Sequence, residues 1–319
     1  WYSSTTVRNK WNLLVTTRDT SQQKWYNNAT HVSTRSHGYG TLTATTSRVR
    51  LAHGYAGYWD GKMGPVVAYD RVLTQDEITS LYYGGPIVTN NLVLNLDASI
   101  LSSYEQGETS TYNLDPNEWN VDITVTGSLK NGVGWSKFGG GSWEFDGSND
   151  YIVLNDNLIS AVGGISSATE YTLEAWIYVR SSQGTTTSAD SIIGHTSATG
   201  FGMQVGQSGG KPRINYGARS TSNFYSSTFE YNEWKHVVLA RKAANPECQT
   251  YLDGQLDVSS GASLSIASPS DRTLNIGYSG GRVTGYYDGY IAVVRVYSDY
   301  LTADEVAQNF EAQRARFGK

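Results

Sequence analysis

Two kinds of residue in this chain have types and spacing suited to chemistry. Asp146 and Asp150 flank the tight stretch Gly147-Ser148-Asn149. Two carboxylates joined by turn carbonyls are a hard-oxygen set of the kind that holds calcium. Turn statistics favour a plain turn for the same residues, in which Asp146-Gly147 bends the chain and Asp150 caps it. Asp146 and Asp150 remain the candidate metal ligands, and structural Ca2+ is the candidate cofactor. The second kind is aromatic. Phe224 and Tyr225 follow Asn223, and Tyr286 and Tyr287 form a pair; all four stand in loop-like contexts. Flat rings beside amides and hydroxyls are what a sugar ring requires, so these four are the candidate ligand-binding residues. Packing in a sandwich core is the competing use of such rings.

Other constellations do not assemble into a catalytic site. Gly277-Tyr278-Ser279-Gly280-Gly281 has the spacing of a nucleophile elbow, but that motif works on a strand-to-helix turn, and here strands lie on both sides. It reads as a hairpin loop. His31, His37, His53, His195 and His236 show no metal-ligand spacing, and His236 reads as a packed or edge residue beside Trp234. Glu170 and Glu174 fall on one strand face, roughly 13 Å apart when extended. A retaining glycosidase needs its carboxyls at about 5–5.5 Å, so both read as surface carboxylates. Gly209-Gly210-Lys211 runs into Pro212 rather than Ser or Thr, so no phosphate loop is expected. No enzyme is expected.

Whole-chain composition narrows the partners. The 319 residues carry 24 Lys+Arg against 29 Asp+Glu, for a net charge of −5. A mildly acidic chain with no basic block is a poor match for nucleic acid or anionic lipid. No segment approaches the ~20 apolar residues of a membrane span, so membrane insertion is not expected. The single cysteine, Cys248, excludes an intrachain disulfide. With 23 Tyr and 9 Trp, the chain can bury a large core and leans towards strands.

The elements that must position these residues are short strands. Tyr171 to Val179 alternates with period two. Tyr171, Leu173, Ala175, Ile177 and Val179 should share one face, and Thr172, Glu174, Trp176 and Tyr178 the other. Further strands are expected at 92–96, 143–145, 151–154, 191–194, 201–205, 213–216, 234–241, 249–252, 273–276 and 290–297. Asp253-Gly254 between two apolar pairs is a hairpin signal. Thr74-Gln75-Asp76-Glu77 and Thr302-Ala303-Asp304-Glu305 both read as helix capping boxes, the second helix running on to Arg314 and Arg316. The fold class implied is all-β: an antiparallel two-sheet sandwich with short capped helices.

The chain also repeats part of itself. Residues 60–78 align without gaps on 288–306, with eight of 19 positions identical. Lys10 to Arg18 parallels Glu233 to Arg241, and Trp25-Tyr26-Asn27-Asn28 parallels Tyr251-Leu252-Asp253-Gly254. A repeat this long means tandem domains. The expected organisation is a C-terminal half-domain at 1–84, a linker at 85–91 around Gly84-Gly85-Pro86, and a complete domain at 92–319. Half a sandwich exposes an apolar face and unpaired edges.

These landmarks resemble the laminin-G-like, concanavalin-A-like jelly rolls. The residues that carry the resemblance are Phe145-Asp146-Gly147-Ser148-Asn149-Asp150-Tyr151-Ile152, the strand at 171–178, Glu233-Trp234-Lys235-His236, Tyr251-Leu252-Asp253-Gly254, and the run from Gly289 to Glu305. Ala292 and Gly64 stand where that family often carries an acidic residue. The phrases at 84–98 and 308–318 are similar to those of marine bacteriophage virion structural proteins. The resemblance implies a non-enzymatic structural or decoration protein of a virion or cell surface. Its partners would be other copies of itself or other virion or surface proteins, multimerising through the half-domain. The alternative is a glycan-binding adhesin or receptor-binding fibre module recognising cell-surface glycan; a glycan-active enzyme is the more distant alternative.

Overall fold

A computed structural model describes residues 11–36, 51, 53–54, 57–114, 126–154, 170–181, 190–195, 202–216, 224–242, 248–260, 274–278 and 285–319. The chain divides into two compact units, Trp1–Thr79 and Ser80–Lys319.

The first unit contains a three-stranded antiparallel sheet of β1 (Leu14–Arg18), β2 (Gln22–Asn27) and β3 (Thr30–Ser36), and a two-residue pair, β4 (His53–Gly54) with β5 (Gly57–Tyr58). Helix α1 (Gln75–Tyr83) begins in this unit. Its capping box is complete, with the Glu77 N–H donating to the Thr74 hydroxyl at 3.2 Å and the Thr74 N–H donating back to Glu77 at 2.8 Å. The Arg71 guanidinium and the Thr74 N–H hold the Glu77 carboxyl down at about 2.

The second unit is a sandwich. Its strands are β6 (Leu92–Asp97), β7 (Ser110–Tyr112), β8 (Thr126–Lys130), β9 (Gly134–Ser136), β10 (Ser142–Asp146), β11 (Tyr151–Leu154), β12 (Tyr171–Val179), β13 (Asp190–His195), β14 (Gly202–Ser208), β15 (Lys211–Tyr216), β16 (Phe224–Tyr225), β17 (Trp234–Arg241), β18 (Cys248–Leu252), β19 (Gln255–Ser260), β20 (Leu274–Ile276) and β21 (Asp288–Tyr297). One sheet runs β19-β18-β17-β12-β21-β10-β9, and β6 lies beyond β10 on the same side of β21. Residues 288–291 of β21 pair with β10, and residues 293–297 pair with β6. The other sheet runs β16-β15-β14-β13-β20-β11-β8-β7. Every ladder is antiparallel. The fold is the expected concanavalin-A-like jelly-roll sandwich.

Strand β12 shows why the sequence packs this way. Tyr171, Leu173, Ala175, Ile177 and Val179 all enter the core between the sheets, against Ile152, Ile193, Met203, Ile214 and Ile276. Each buried Leu, Ile, Val or Met among them contributes about 1.5–3 kcal/mol. The alternate residues face outward, where helix α2 (Ala303–Gln313) and a 3-10 turn at Arg314–Phe317 cover part of the sheet. The helix therefore ends earlier than its sequence suggests. Arg314 and Arg316 belong to the tighter turn, because Arg316 is drawn back onto Asp97.

The hairpins of the two units repeat in detail. In both, a bulge interrupts the second ladder at the same place, between Trp25 and Tyr26 and between Thr250 and Tyr251. In both, a two-residue turn follows with left-handed backbone, Asn28-Ala29 and Asp253-Gly254. In both, the first turn residue clamps the opposing strand: the Leu13 N–H donates to Asn28 Oδ1 at 2.9 Å, and the His236 N–H donates to Asp253 Oδ1 at 3.0 Å. The turn residues thus align Asn28 with Asp253, one position away from the motif alignment made on sequence.

The other half of the repeat diverges. Residues 288–297 form the central strand β21, bonded on both sides. Their counterparts at 60–69 form no strand, and Val66, Val67, Tyr69 and Val72 are exposed. The physical reason is local: β21 is held by β6, β10 and β12, and none of these three has a counterpart among the described residues of the first unit.

Candidate functional site

The outward face of the β12 sheet carries two adjoining features. The first is a buried charge cluster beneath α2. Glu174, His236 and Arg295 project from β12, β17 and β21, and all three side chains are fully buried. Glu174 accepts from Arg295 at 2.5 Å, from His236 Nε2 at 3.1 Å and from the Asn309 amide at 2.6 Å. Burial opposes the charge on Glu174, but the Arg295 guanidinium and the His236 and Asn309 bonds prevail and hold the carboxyl well below the usual range. Asn309 also accepts from the Val88 N–H at 2.7 Å, and Arg295 donates to Asn95 at 3.1 Å. Glu174 is therefore not the surface carboxylate its sequence suggests. The helix that covers it is set by tertiary packing, which strand periodicity does not report.

The second feature is an open aromatic shelf. Trp176 stacks with Phe317 (ring centroids 4.0 Å apart) and with Phe310 (5.6 Å). Beyond this stack the sheet face is left bare of helix and becomes the shelf. Tyr178 of β12, Tyr290 of β21 and Phe138, from a loop turn at Phe138–Gly140, meet there edge to face. Phe138 lies 4.8 Å from Tyr178 and 5.2 Å from Tyr290, ring to ring. Trp234 of β17 backs them at 5.2 Å from Phe138. The Phe138 ring is 41% exposed. A shallow depression of about 350 Å³ opens over these rings, with Arg180, Ser181 and Asn232 on its border.

Local sequence explains how the shelf is held. Phe138 precedes three glycines, and Gly139 adopts φ +62° where a Cβ would stand 2.4 Å from the Trp234 ring. Only glycine lets the loop lie this flat. Arg316 fixes it from below, donating to the carbonyls of Gly139 and Gly141 at 2.6 and 2.7 Å. Arg180 lies 4.5 Å over the Tyr290 ring, bonds Glu144, and reaches Asp288 at 3.2 Å. Burial works against the Arg180 charge, yet its bonds to Tyr290, Glu144 and Asp288 raise its pKa above the ordinary value. The Tyr290 hydroxyl donates to Glu144 at 3.1 Å. The shelf thus offers the exposed Phe138 ring to a C–H surface and a border of guanidinium, hydroxyl and amide, from Arg180, Ser181 and Asn232, to hydroxyls.

The residues singled out by sequence fall elsewhere. Tyr287 is fully buried in the core, donating to the Tyr178 carbonyl at 3.0 Å. Phe224 is core as well. Neither has surface to offer a ligand. Tyr286 stacks on Tyr278 at 4.5 Å beside Tyr151, and Tyr225 lies 3.7 Å beneath the Arg213 guanidinium. Both remain part-exposed. Asp146 Oδ1 accepts from the Ser148 and Asn149 N–H groups. Asp150 accepts from the Asp146 N–H at 3.2 Å, and burial first, then the Asp146 charge, raises its pKa. Among the described residues no three His, Cys, Asp or Glu side chains are grouped to hold a metal. Ser279 of the elbow-like motif, Asn223 and His37 lie outside the described residues. Sequence reasoning missed Phe138, Tyr178 and Tyr290; the run Phe138-Gly139-Gly140-Gly141 was the available signal.

Comparison with known proteins bears on the fold. Residues 2–79 and 146–307 match the laminin-G-like family model described as the concanavalin A-like lectin/glucanases superfamily. No curated protein sequence matches the chain. Among solved structures, the receptor-binding domain of botulinum neurotoxin C/D mosaic serotype is similar, with a TM-score of 0.50 and 14% identity over 70% of this chain and 52% of that one. A sialidase of Trypanosoma rangeli, solved with the inhibitor DANA, has a TM-score of 0.49 and 15% identity over 72% of this chain and 34% of that one. The chain thus spans about half of the neurotoxin domain and about a third of the sialidase.

Proposed function

This chain belongs to the concanavalin A-like lectin/glucanases superfamily, in its laminin-G-like form, and we propose that its second unit is a non-enzymatic glycan-recognition module of an extracellular, cell-surface or virion protein. The observation that carries this reading is the exposed shelf of Phe138, Tyr178 and Tyr290 with its polar rim. Its ligand is a neutral oligosaccharide. Among the described residues the cation at the rim is Arg180, already satisfied by Glu144 and Asp288, so an anionic sugar gains no counter-ion from it. The non-enzymatic part is supported by how the carboxylates are used: Glu174 lies beneath α2, and Glu144 is bonded to both Arg180 and Tyr290. No helix of the described residues is long and apolar enough to cross a membrane. The test is a glycan array followed by calorimetry on the neutral hits. Phe138→Ala and Tyr290→Phe should each weaken binding, the former by about tenfold or more. Absence of any saturable neutral glycan, or full affinity in Phe138→Ala, overturns the reading.

A second reading, assembly, is favoured by the exposed run Val66, Val67, Tyr69 and Val72. We propose that residues 1–84 are the C-terminal half of a second jelly roll and that a strand from another copy of the chain pairs with 60–69, as β12 pairs with β21. Sedimentation of the full chain should then show multimers that Val67→Asp with Tyr69→Asp dissociates. A monomer at all accessible concentrations overturns it.

A further inference from the structure

The two units differ at one matched position in a way that opens a second site, in the first unit. In the second unit, Tyr300 lies just before the capping Thr302. Its hydroxyl bonds Gln249, which also accepts from the Tyr251 hydroxyl at 2.9 Å. Its ring lies 4.1 Å beneath the Lys242 ammonium. The phenol therefore fills the space between the β18–β19 hairpin and the start of α2. The matched position in the first unit, two residues before Thr74, is Val72. The ring is missing, and a cleft of about 330 Å³ takes its place.

The cleft is lined by polar side chains. Its floor is one face of the three-stranded sheet, carrying Thr17, Lys24, Tyr26, His31 and Thr34; its wall is the segment 72–75. By ladder register, Lys24 pairs with both Thr17 and Thr34, and Tyr26 pairs with His31. The equivalent positions in the second unit are Ala240 for Thr17, Gln249 for Lys24 and Leu256 for His31. So a ring has been withdrawn and polar or basic side chains have been added at the same place. The Asp19 carboxylate at the border is bound by its own turn, accepting from the Ser21 N–H, the Ser21 hydroxyl and the Gln22 N–H through Oδ1. Lys24 has no ion pair among the described residues. His31 Nε2 bonds the Thr34 hydroxyl at 2.8 Å, and its ring packs edge-on against Tyr26 at 5.4 Å.

We propose that this cleft binds a single six-membered sugar ring bearing a carboxylate, a uronic acid residue. The void has replaced one six-membered ring, so it accepts another. Thr17, Thr34 and His31 face the hydroxyls, and Lys24 supplies the charge that selects the carboxylate. The site is separate from the shelf of the second unit, whose Arg180 is already paired with Glu144 and Asp288.

The test uses the full chain, with glucuronic acid and glucose as probes, read by calorimetry or saturation-transfer NMR. Wild type should bind glucuronic acid saturably, and glucose about tenfold more weakly. Val72→Tyr, which restores the side chain the second unit already carries, should abolish glucuronic acid binding while neutral glycans still bind the shelf. Lys24→Met should bring glucuronic acid down to the level of glucose. Undiminished glucuronic acid binding in Val72→Tyr overturns the proposal. So does an unchanged preference in Lys24→Met, which also decides the matter if the tyrosine variant misfolds, and so does the absence of saturable binding in wild type.

Discussion

Arg316 grips both carboxylate oxygens of Asp97 at 2.9 Å, across 219 residues of chain. The Asp97 side chain is fully buried and also accepts from Gln313 at 3.2 Å. The same guanidinium holds the carbonyls of Gly139 and Gly141. One side chain therefore ties the covering turn, the first strand of the sandwich and the Phe138 loop together.

Removing it should separate stability from recognition only in part. Arg316→Met leaves a buried carboxylate without its cation, and loss of one partner of such a pair costs about 3–5 kcal/mol. Chemical denaturation should show that loss. Because the loop carbonyls are released as well, neutral-glycan affinity should fall even at temperatures where the variant is folded. A variant as stable as wild type would show that the Asp97 pair does not hold the turn in place.

The buried Glu174 sets an acid limit on the second unit. Its folded carboxyl lies below its ordinary value of 4.5. A depressed carboxylate contributes stability that is complete above the unfolded value and is lost as pH falls through the folded one. Unfolding free energy should thus decline from about pH 5 towards pH 2. Glu174→Gln should be less stable at neutral pH by about 3 kcal/mol or more, with a shallower acid slope. An acid profile identical to wild type would remove Glu174 as its source.

The repeated turn offers a gain rather than a loss. Ala29 adopts φ +65°, where the second unit has Gly254 at φ +75°. A β-carbon in the left-handed region costs about 1 kcal/mol, so Ala29→Gly should raise the melting temperature of the first unit. A lower melting temperature would mean that contacts of the methyl outweigh its backbone cost.

The capping boxes separate buried from exposed contributions. Thr302→Ala should destabilise the second unit by about 1 kcal/mol, since α2 covers the charge cluster. Arg71→Ala should leave thermal unfolding almost unchanged, because its pairing with Glu77 is solvent-exposed. Thermal scans of the two variants side by side check the contrast.

Much of the fold was legible. Period-two alternation placed every residue of β12 on its correct face, and Asp253-Gly254 and both Thr-x-x-Glu boxes marked their turn and helices. The site was less legible because it depends on which outward residues the chain later covers. Tyr286 and Tyr287 are neighbours of one type, yet one stacks part-exposed and the other fills the core. Alternation says they differ without saying which faces inward. Glu174 and Tyr178 share a strand face, and only the path of α2 makes one a buried charge and the other a shelf. The Tyr300-to-Val72 difference was visible in the aligned repeat, but its meaning needed the cleft.

The covering of the β12 sheet by residues 303–317 has a consequence for synthesis. Glu174 and Asp97 emerge from the ribosome long before Asn309 and Arg316 do. Until then the nascent sheet must keep those charges wet, so its outer surface stays hydrated while the inner one dries.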